Sequence, residues 1–264
     1  TGTVETRWRK KDGTIIDILL SSTALEATDL SAGVTFTALD ITDRKHAESQ
    51  RRASLQQKVL LFKEIHQCVE KNLTTISSLV ERQAMQSDDP HTAEALRRSR
   101  DRVHAMARVH KQLHGSSDIT QVNMEDYISG LISDLAESRG SSVAISANTS
   151  DVCLEIDQAT PCSLILNELV SNALDRAFPE DRRPGPAPQI TVGLRECDAT
   201  LTLIVEDNGI GMPADQVRGH QTAAGLDTVA LLADQLGGQL HIESNQGTRV
   251  ELSFPRAKVT ARTK

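Results

Sequence analysis

Aromatic residues are scarce, with one Trp, one Tyr and four Phe among 264 residues, 2% in all. The hydrophobic cores must therefore be aliphatic. Cysteine is also rare. Cys68, Cys153, Cys162 and Cys197 are scattered, with no C-x-x-C pair and no His-Cys cluster at zinc spacing, which excludes a disulfide framework or a zinc site of that kind. Four reduced thiols and a cytoplasmic setting are expected. No apolar run approaches the ~18 residues of a membrane span, and Thr1 to Lys11 lack the apolar core of a secretory signal. No membrane segment is expected in this chain.

What is present is ordinary globular composition, 38% hydrophobic and 25% charged, over a length suited to about two domains at ~150 residues each. The net charge of −7 hides an asymmetry. Residues 43–115 carry 14 basic and 9 acidic side chains, whereas residues 116–264 carry 11 and 21. A basic stretch can attract nucleic acid, but the polar face of a long helix is ordinarily solvated, and the acidic remainder repels phosphate backbones. No nucleic-acid partner is expected.

Val4, Thr6 and Trp8 alternate with charged residues at the period of a half-buried strand. Asp12-Gly13 then turns the chain into a second strand over 14–22, and a third β-rich run over 33–39 ends at Asp40-Ile41-Thr42. These three strands read as an incomplete domain. From about 43 to 114 helical signals dominate: Phe62, Ile65, Val69, Leu73, Ile76 and Val80 recur at spacings of three and four. Asp89-Pro90 marks a new helix start. The return helix runs to about His114, with Val103, Met106, His110 and Leu113 on one face and Gly115 as its C-cap. Such a hairpin buries too little alone, so pairing with a second copy into a four-helix bundle is expected. Beyond 122, helices over 124–138, 161–177 and 226–236 interleave with strands near 143–146, 152–156, 189–194, 200–206, 239–244 and 249–254, the pattern of an α/β sandwich.

Chemistry concentrates in four segments. Ile204 to Pro213 delivers Asp207 from an apolar strand into a loop with Gly209 and Gly211. Such an acid can accept a hydrogen bond from an exocyclic amine such as that of adenine, with the glycines permitting close backbone approach. The plainer alternative is an ordinary Asn-Gly turn. In Leu164 to Ala173, Glu168 and Asn172 share a helical face one turn apart, with Asn167 adjacent. A carboxylate and an amide oxygen so placed can hold Mg²⁺, or belong to an ordinary polar stripe. Gly225-Leu226 leads into a helix, as a phosphate-facing N-terminus would. Gly247-Thr248 precedes the last strand and offers a hydroxyl.

In this order the four segments resemble the ATP-binding domain shared by histidine kinases, gyrase, the Hsp90 chaperone and MutL. Residues 60–79, containing Glu-Ile-His66-Gln, are similar to the phosphoacceptor helix of the second HisKA class of sensor histidine kinases, relatives of the HWE group. Arg102 to Leu113 resembles the second helix of that module. The first ~45 residues resemble the closing strands of a PAS sensor domain.

The resemblance implies an α+β multidomain chain. It would comprise a partial PAS sheet at 1–42, a signalling linker helix at 43–58 and an antiparallel helical hairpin for dimerisation and phosphoacceptance at 59–120. A Bergerat-type ATP-binding sandwich at 121–258 and a tail at 259–264 would follow. It places the phosphoacceptor on His66, which borders the apolar stripe and so stays reachable as a nucleophile. Asn172 would hold Mg²⁺, Asp207 would read adenine, Gly209, Gly211, Gly225 and Leu226 would shape the pocket beside Asn167, and Thr248 would line it. Glu168 would act on the metal shell or as a base. From spacing alone, Glu70, one turn after His66, is expected to orient its ring.

The activity implied is ATP-dependent phosphorylation of His66 and transfer to an Asp of a response regulator, whose acidic pocket the basic hairpin suits. A homodimer through residues 59–114 is expected. Cys68, Glu70 and Lys71 depart from the family pattern around the acceptor, and Asp175-Arg176 stands where Lys-His is usual. The stretch from Pro213 to Gly225, read as a lid, is short. The alternative function is therefore a nucleotide-binding signalling scaffold that never labels His66; an ATP-driven clamp fits less well.

Overall fold

The computed structural model describes residues 2–24, 33–115, 120–139, 143–179, 186–212 and 225–257. They divide into two compact units, residues 1–62 and 63–264.

In the first unit, β1 (Gly2–Arg9), β2 (Ile15–Ala24) and β3 (Val34–Asp40) form an antiparallel sheet in that order. The expected Asp12-Gly13 turn joins β1 to β2: the Thr14 N–H donates to Asp12 Oδ1 at 2.9 Å, and Gly13 sits at φ 90°, where a side chain would be strained. At the exit, the Thr42 N–H and hydroxyl both donate to Asp40 Oδ1, and the Thr42 hydroxyl accepts the Asp17 N–H. Thr42 thereby starts α1 (Thr42–Gln86) against the sheet it leaves.

The helix α1 runs 45 residues without a break. Its return partner α2 (Pro90–Gly115) starts where Asp89 accepts hydrogen bonds from the His91 and Thr92 N–H groups, so Asp89 is the N-cap. The expected face of α2 is displaced. Ala105, Val109 and Leu113 are buried, whereas Val103, Met106 and His110 are only partly so. The reason is that α2 packs beside the following domain, and Val109 and Leu113 join that domain's core with Tyr127, Ile128 and Ile165. Ile65, Ile76 and Leu79 on α1 remain exposed.

The remainder is a sandwich. A five-stranded sheet has the order β5 (Ala144–Thr149), β7 (Gln189–Cys197), β8 (Thr200–Asp207), β10 (Thr248–Pro255), β9 (Gln239–Ser244), with only the β5–β7 pair parallel. Its core shares apolar side chains with α3 (Met124–Arg139), α4 (Ile156–Arg176) and α5 (Leu226–Gln235). Alternate residues face inward. Val192, Val205 and Val250 form one row across three strands, and Leu194, Leu203 and Leu252 the next, each side chain contributing roughly 1.5–3 kcal/mol on burial.

Two local features differ from expectation. A short strand, β4 (Gln121–Asn123), precedes α3 and pairs antiparallel with β6 (Cys153–Glu155), the strand expected near 152–156. And α4 begins at Ile156, not Pro161, which lies buried inside it. Proline lacks the N–H that would bond the Asp157 carbonyl, but its fixed φ is helical, so the helix passes through. Among the described residues no helix is long and apolar enough to cross a membrane, and all four cysteines are free thiols. Burial pushes the Cys162 thiol up to about 12, so it acts as a core side chain.

Candidate functional site

Asp207 continues the inward parity of Leu203 and Val205, but at the strand's last position, so β8 delivers a carboxylate rather than another apolar group to the helix side. It is 8% exposed. Its Oδ1 accepts the Gly209 N–H at 2.8 Å and the Thr248 N–H at 3.3 Å. A buried carboxylate tied by backbone donors is fixed in direction. It lines a cavity of ≈ 250 Å³ with Asn172, Arg176, Gly211, Leu226, Thr248 and the apolar side chains of Leu169, Ala173, Val205, Met212 and Val250. Apolar walls around one oriented acid suit a flat heterocycle bearing an amine.

Gly209 does not line this cavity. A Cβ there would fall onto the Ala177 carbonyl oxygen, and the Ile210 N–H donates to that same oxygen at 3.0 Å. The glycine lets the loop dock on the end of α4, so its lost side chain makes room for protein rather than for ligand. Gly225 is different. It stands at φ 115°, and a Cβ there would lie 2.9 Å from Glu168 Oε2 and 3.2 Å from Asn172 Nδ2. Only glycine brings the start of α5 this close to both polar side chains.

Glu168 and Asn172 lie one turn apart on α4, as expected, and with Asn167 line a second cavity of ≈ 460 Å³. Asn172 borders both cavities. The opposite wall is α2, with Glu94, Arg97, Arg98, Arg100 and Asp101. Glu168 is 5% exposed, and its Oε1 accepts a hydrogen bond from Arg102 Nε at 2.5 Å. One carboxylate and one amide oxygen are the hard donors Mg²⁺ prefers, leaving most of its shell to phosphates and water. At the Gly225 cradle the oxygens on offer are Glu168 Oε2, since Oε1 is engaged by Arg102, and Asn172 Oδ1, which lies behind Nδ2. Among the described residues there is no group of three or more His, Cys, Asp or Glu able to hold a metal alone.

His66 and Glu70 border neither cavity. His66 is half-buried on α1, its Nδ1 3.0 Å from Nδ1 of His110 on α2. Burial, then the neighbouring His114, holds the His66 imidazole below its ordinary range. Glu70 does not hydrogen-bond His66 among the described residues. Its charge is felt at His110, where it opposes the lowering caused by burial and by His66. Of the remaining expected features, Asp175 lines the larger cavity and Arg176 the smaller. Residues 213–224 of the expected lid, and the tail, lie outside the described residues. Sequence reasoning missed Arg102 and the arginines of α2 as neighbours of Glu168, because nothing local pairs α2 with α4, and it overlooked His110, which the expected hairpin sets level with His66.

Comparison with known proteins finds likeness in sequence and in fold. Residues 64–139 match the family model described as histidine kinase, and residues 157–258 that of the histidine kinase-, DNA gyrase B-, and HSP90-like ATPase. The sensor histidine kinase PdtaS of Mycolicibacterium smegmatis is 31% identical over 244 residues, 90% of this chain and 47% of that protein. PdtaS of Mycobacterium tuberculosis is 29% identical over 243 residues, with the same coverage. The chain thus spans about half the length of these relatives. The histidine kinase domain of the Erythrobacter litoralis EL346 blue-light activated histidine kinase matches in fold, with a TM-score of 0.56 at 20% identity, over 76% of this chain and 95% of that one.

Proposed function

From a chain that belongs to the histidine kinases, by its HisKA_2 region at 64–139 and its ATPase region at 157–258, we propose an ATP-dependent autokinase that phosphorylates its own His66. The observation that carries this is the convergence of Asn172, Asp207, Leu226 and Thr248, from separate segments, on one cavity. In this reading Asp207 accepts the adenine amine and the apolar walls hold the base. Asn172 and Glu168 would hold Mg²⁺, which would offset phosphate charge. The start of α5 at Gly225-Leu226 meets the phosphates.

His66 Nε2 attacks the γ-phosphorus. Because phosphoryl transfer asks mainly for positioning and charge neutralisation, the chain must align an imidazole that is neutral, and burial keeps it so. The phosphoryl group then passes to an Asp of a response regulator, met by the basic hairpin; salt should weaken that encounter. We read residues 1–42 as the end of a PAS sensor module, 43–58 as its signalling helix, 59–120 as the phosphoacceptor hairpin and 121–258 as the catalytic domain, working in the cytoplasm. The exposed Ile65, Ile76 and Leu79 of α1 support a homodimer through 59–114.

The test is incubation with γ-labelled ATP and Mg²⁺ beside a His66→Gln variant. Acid-labile, alkali-stable label that vanishes in the variant is expected. ATP binding without label would leave the scaffold reading instead.

A further inference from the structure

The phosphoacceptor reading leaves a proton unaccounted for. An imidazole that bonds phosphorus through Nε2 becomes cationic unless its Nδ1 proton leaves, and the residue after His66 is Gln67, which cannot accept one. Among the described residues no carboxylate hydrogen-bonds His66. What lies against it is His110: Nδ1 to Nδ1 at 3.0 Å, ring centroids 5.2 Å apart and tilted by 38°.

Two ring nitrogens at this distance share one proton, since one must donate and the other accept. If His66 donates, its Nε2 carries the lone pair; if it accepts, its Nε2 carries the hydrogen and cannot attack. At His110, burial and then His66 disfavour the charged form, and Glu70 opposes them. At His66, burial comes first and His114 second in disfavouring the charged form, and His114 Nδ1 is itself set against the Lys63 carbonyl oxygen at 3.3 Å. Only the arrangement in which His66 donates and His110 accepts leaves Nε2 of His66 free to attack, so the phosphoacceptor reading selects it.

Resting on the reading of His66 as phosphoacceptor, we infer that His110 is its positioning residue, fixing the Nδ1–H tautomer that frees Nε2 and receiving the Nδ1 proton during transfer. In that step Nε2 of His66 bonds the γ-phosphorus while the bond from γ-phosphorus to the β,γ-bridging oxygen breaks. Its electron pair leaves with ADP. The Nδ1 proton passes to Nδ1 of His110, whose imidazolium later releases the proton to water.

The experiment uses the full chain, with ¹⁵N-labelled histidine for NMR without nucleotide and γ-labelled ATP with Mg²⁺ for rates. His66 is expected as the Nδ1–H tautomer in the wild-type chain. His110→Ala should shift it toward Nε2–H and slow labelling by roughly 10²-fold, with ATP affinity unchanged. His110→Asn, whose side-chain oxygen can accept the same hydrogen bond, should restore the tautomer and part of the rate. It should also convert the acid limb of the pH profile from that of a coupled pair to that of one histidine. Should His110→Ala unfold, His110→Asn carries both readouts. An Nε2–H tautomer in the wild-type chain, or His110→Ala labelling within twofold of wild type, would overturn the inference. Absence of label in the wild-type chain would instead overturn the proposed function, while the tautomer, read without ATP, would still decide the pairing.

Discussion

Arg102 on α2 and Glu168 on α4, 66 residues apart in sequence, meet through Nε and Oε1 at 2.5 Å. The acid is almost wholly buried and the arginine about a third exposed. The second helix of the hairpin thus occupies one oxygen of a carboxylate assigned to the metal shell or to base work. A buried acid stripped of a charged partner loses more than an exposed one would.

The first prediction concerns this pair. Arg102→Ala should destabilise residues 63–264 by about 1.5–3 kcal/mol, the range for hydrogen bonds to charged groups. In a double-mutant cycle with Glu168→Gln the two effects should be less than additive. Urea unfolding of the four proteins measures this, and additive effects would show that the pair is not coupled.

Asp207→Asn should keep the fold, because an amide oxygen still accepts from the Gly209 and Thr248 N–H groups. It should nonetheless weaken ATP binding about ten- to a hundredfold, by loss of a charged hydrogen bond to the adenine amine. Discrimination against GTP should fall with it. Calorimetric titration with both nucleotides reads the change.

Gly225→Ala places a Cβ at φ 115° and 2.9 Å from Glu168 Oε2. Backbone strain of this kind costs about 1–3 kcal/mol. Lower thermal stability and weaker ATP binding are expected together, since α5 cannot approach Glu168 and Asn172 unless one of them moves. A variant with wild-type melting and affinity would contradict this.

Acidification should weaken the fold around the hairpin. Burial lowers His66, His104 and His110 below their ordinary value near 6.5. Around His104, Asp134 and Asp101 oppose that lowering while Arg108 and Arg100 add to it. For each group the unfolded chain binds the proton more readily than the folded one. Stability is therefore full above pH ~6.5 and declines as pH falls through the unfolded value toward the folded ones. Urea midpoints measured between pH 8 and pH 5 should follow that sign, and less so in His104→Gln.

Much of this was legible in the sequence for physical reasons. The two-residue parity of β8 runs through Leu201, Leu203 and Val205 to Asp207, so an acid at the end of an apolar alternation announces itself. The Glu168 and Asn172 spacing on α4 is equally local. What escaped reading is non-local or short. Pro161 resembled a helix start because its φ suits one, yet Ile156 begins α4. Three-residue strands such as β4 carry too little alternation to detect. The buried face of α2 is set by Tyr127 and Ile165, which arrive later in the chain, and no spacing rule brings Arg102 to Glu168; His110 meets His66 because the two lie equally far from Asp88 in the hairpin turn.

The central claim is that His66 carries the phosphoryl group. The most direct measurement is to localise it in the chain after reaction with ATP and Mg²⁺, by peptide mapping at alkaline pH and by phosphorus–nitrogen NMR on ¹⁵N-histidine protein. A single phosphohistidine at His66, bonded through Nε2 with Nδ1 facing His110, is the predicted result. Phosphorus on another residue, or on Nδ1 of His66, would contradict the account.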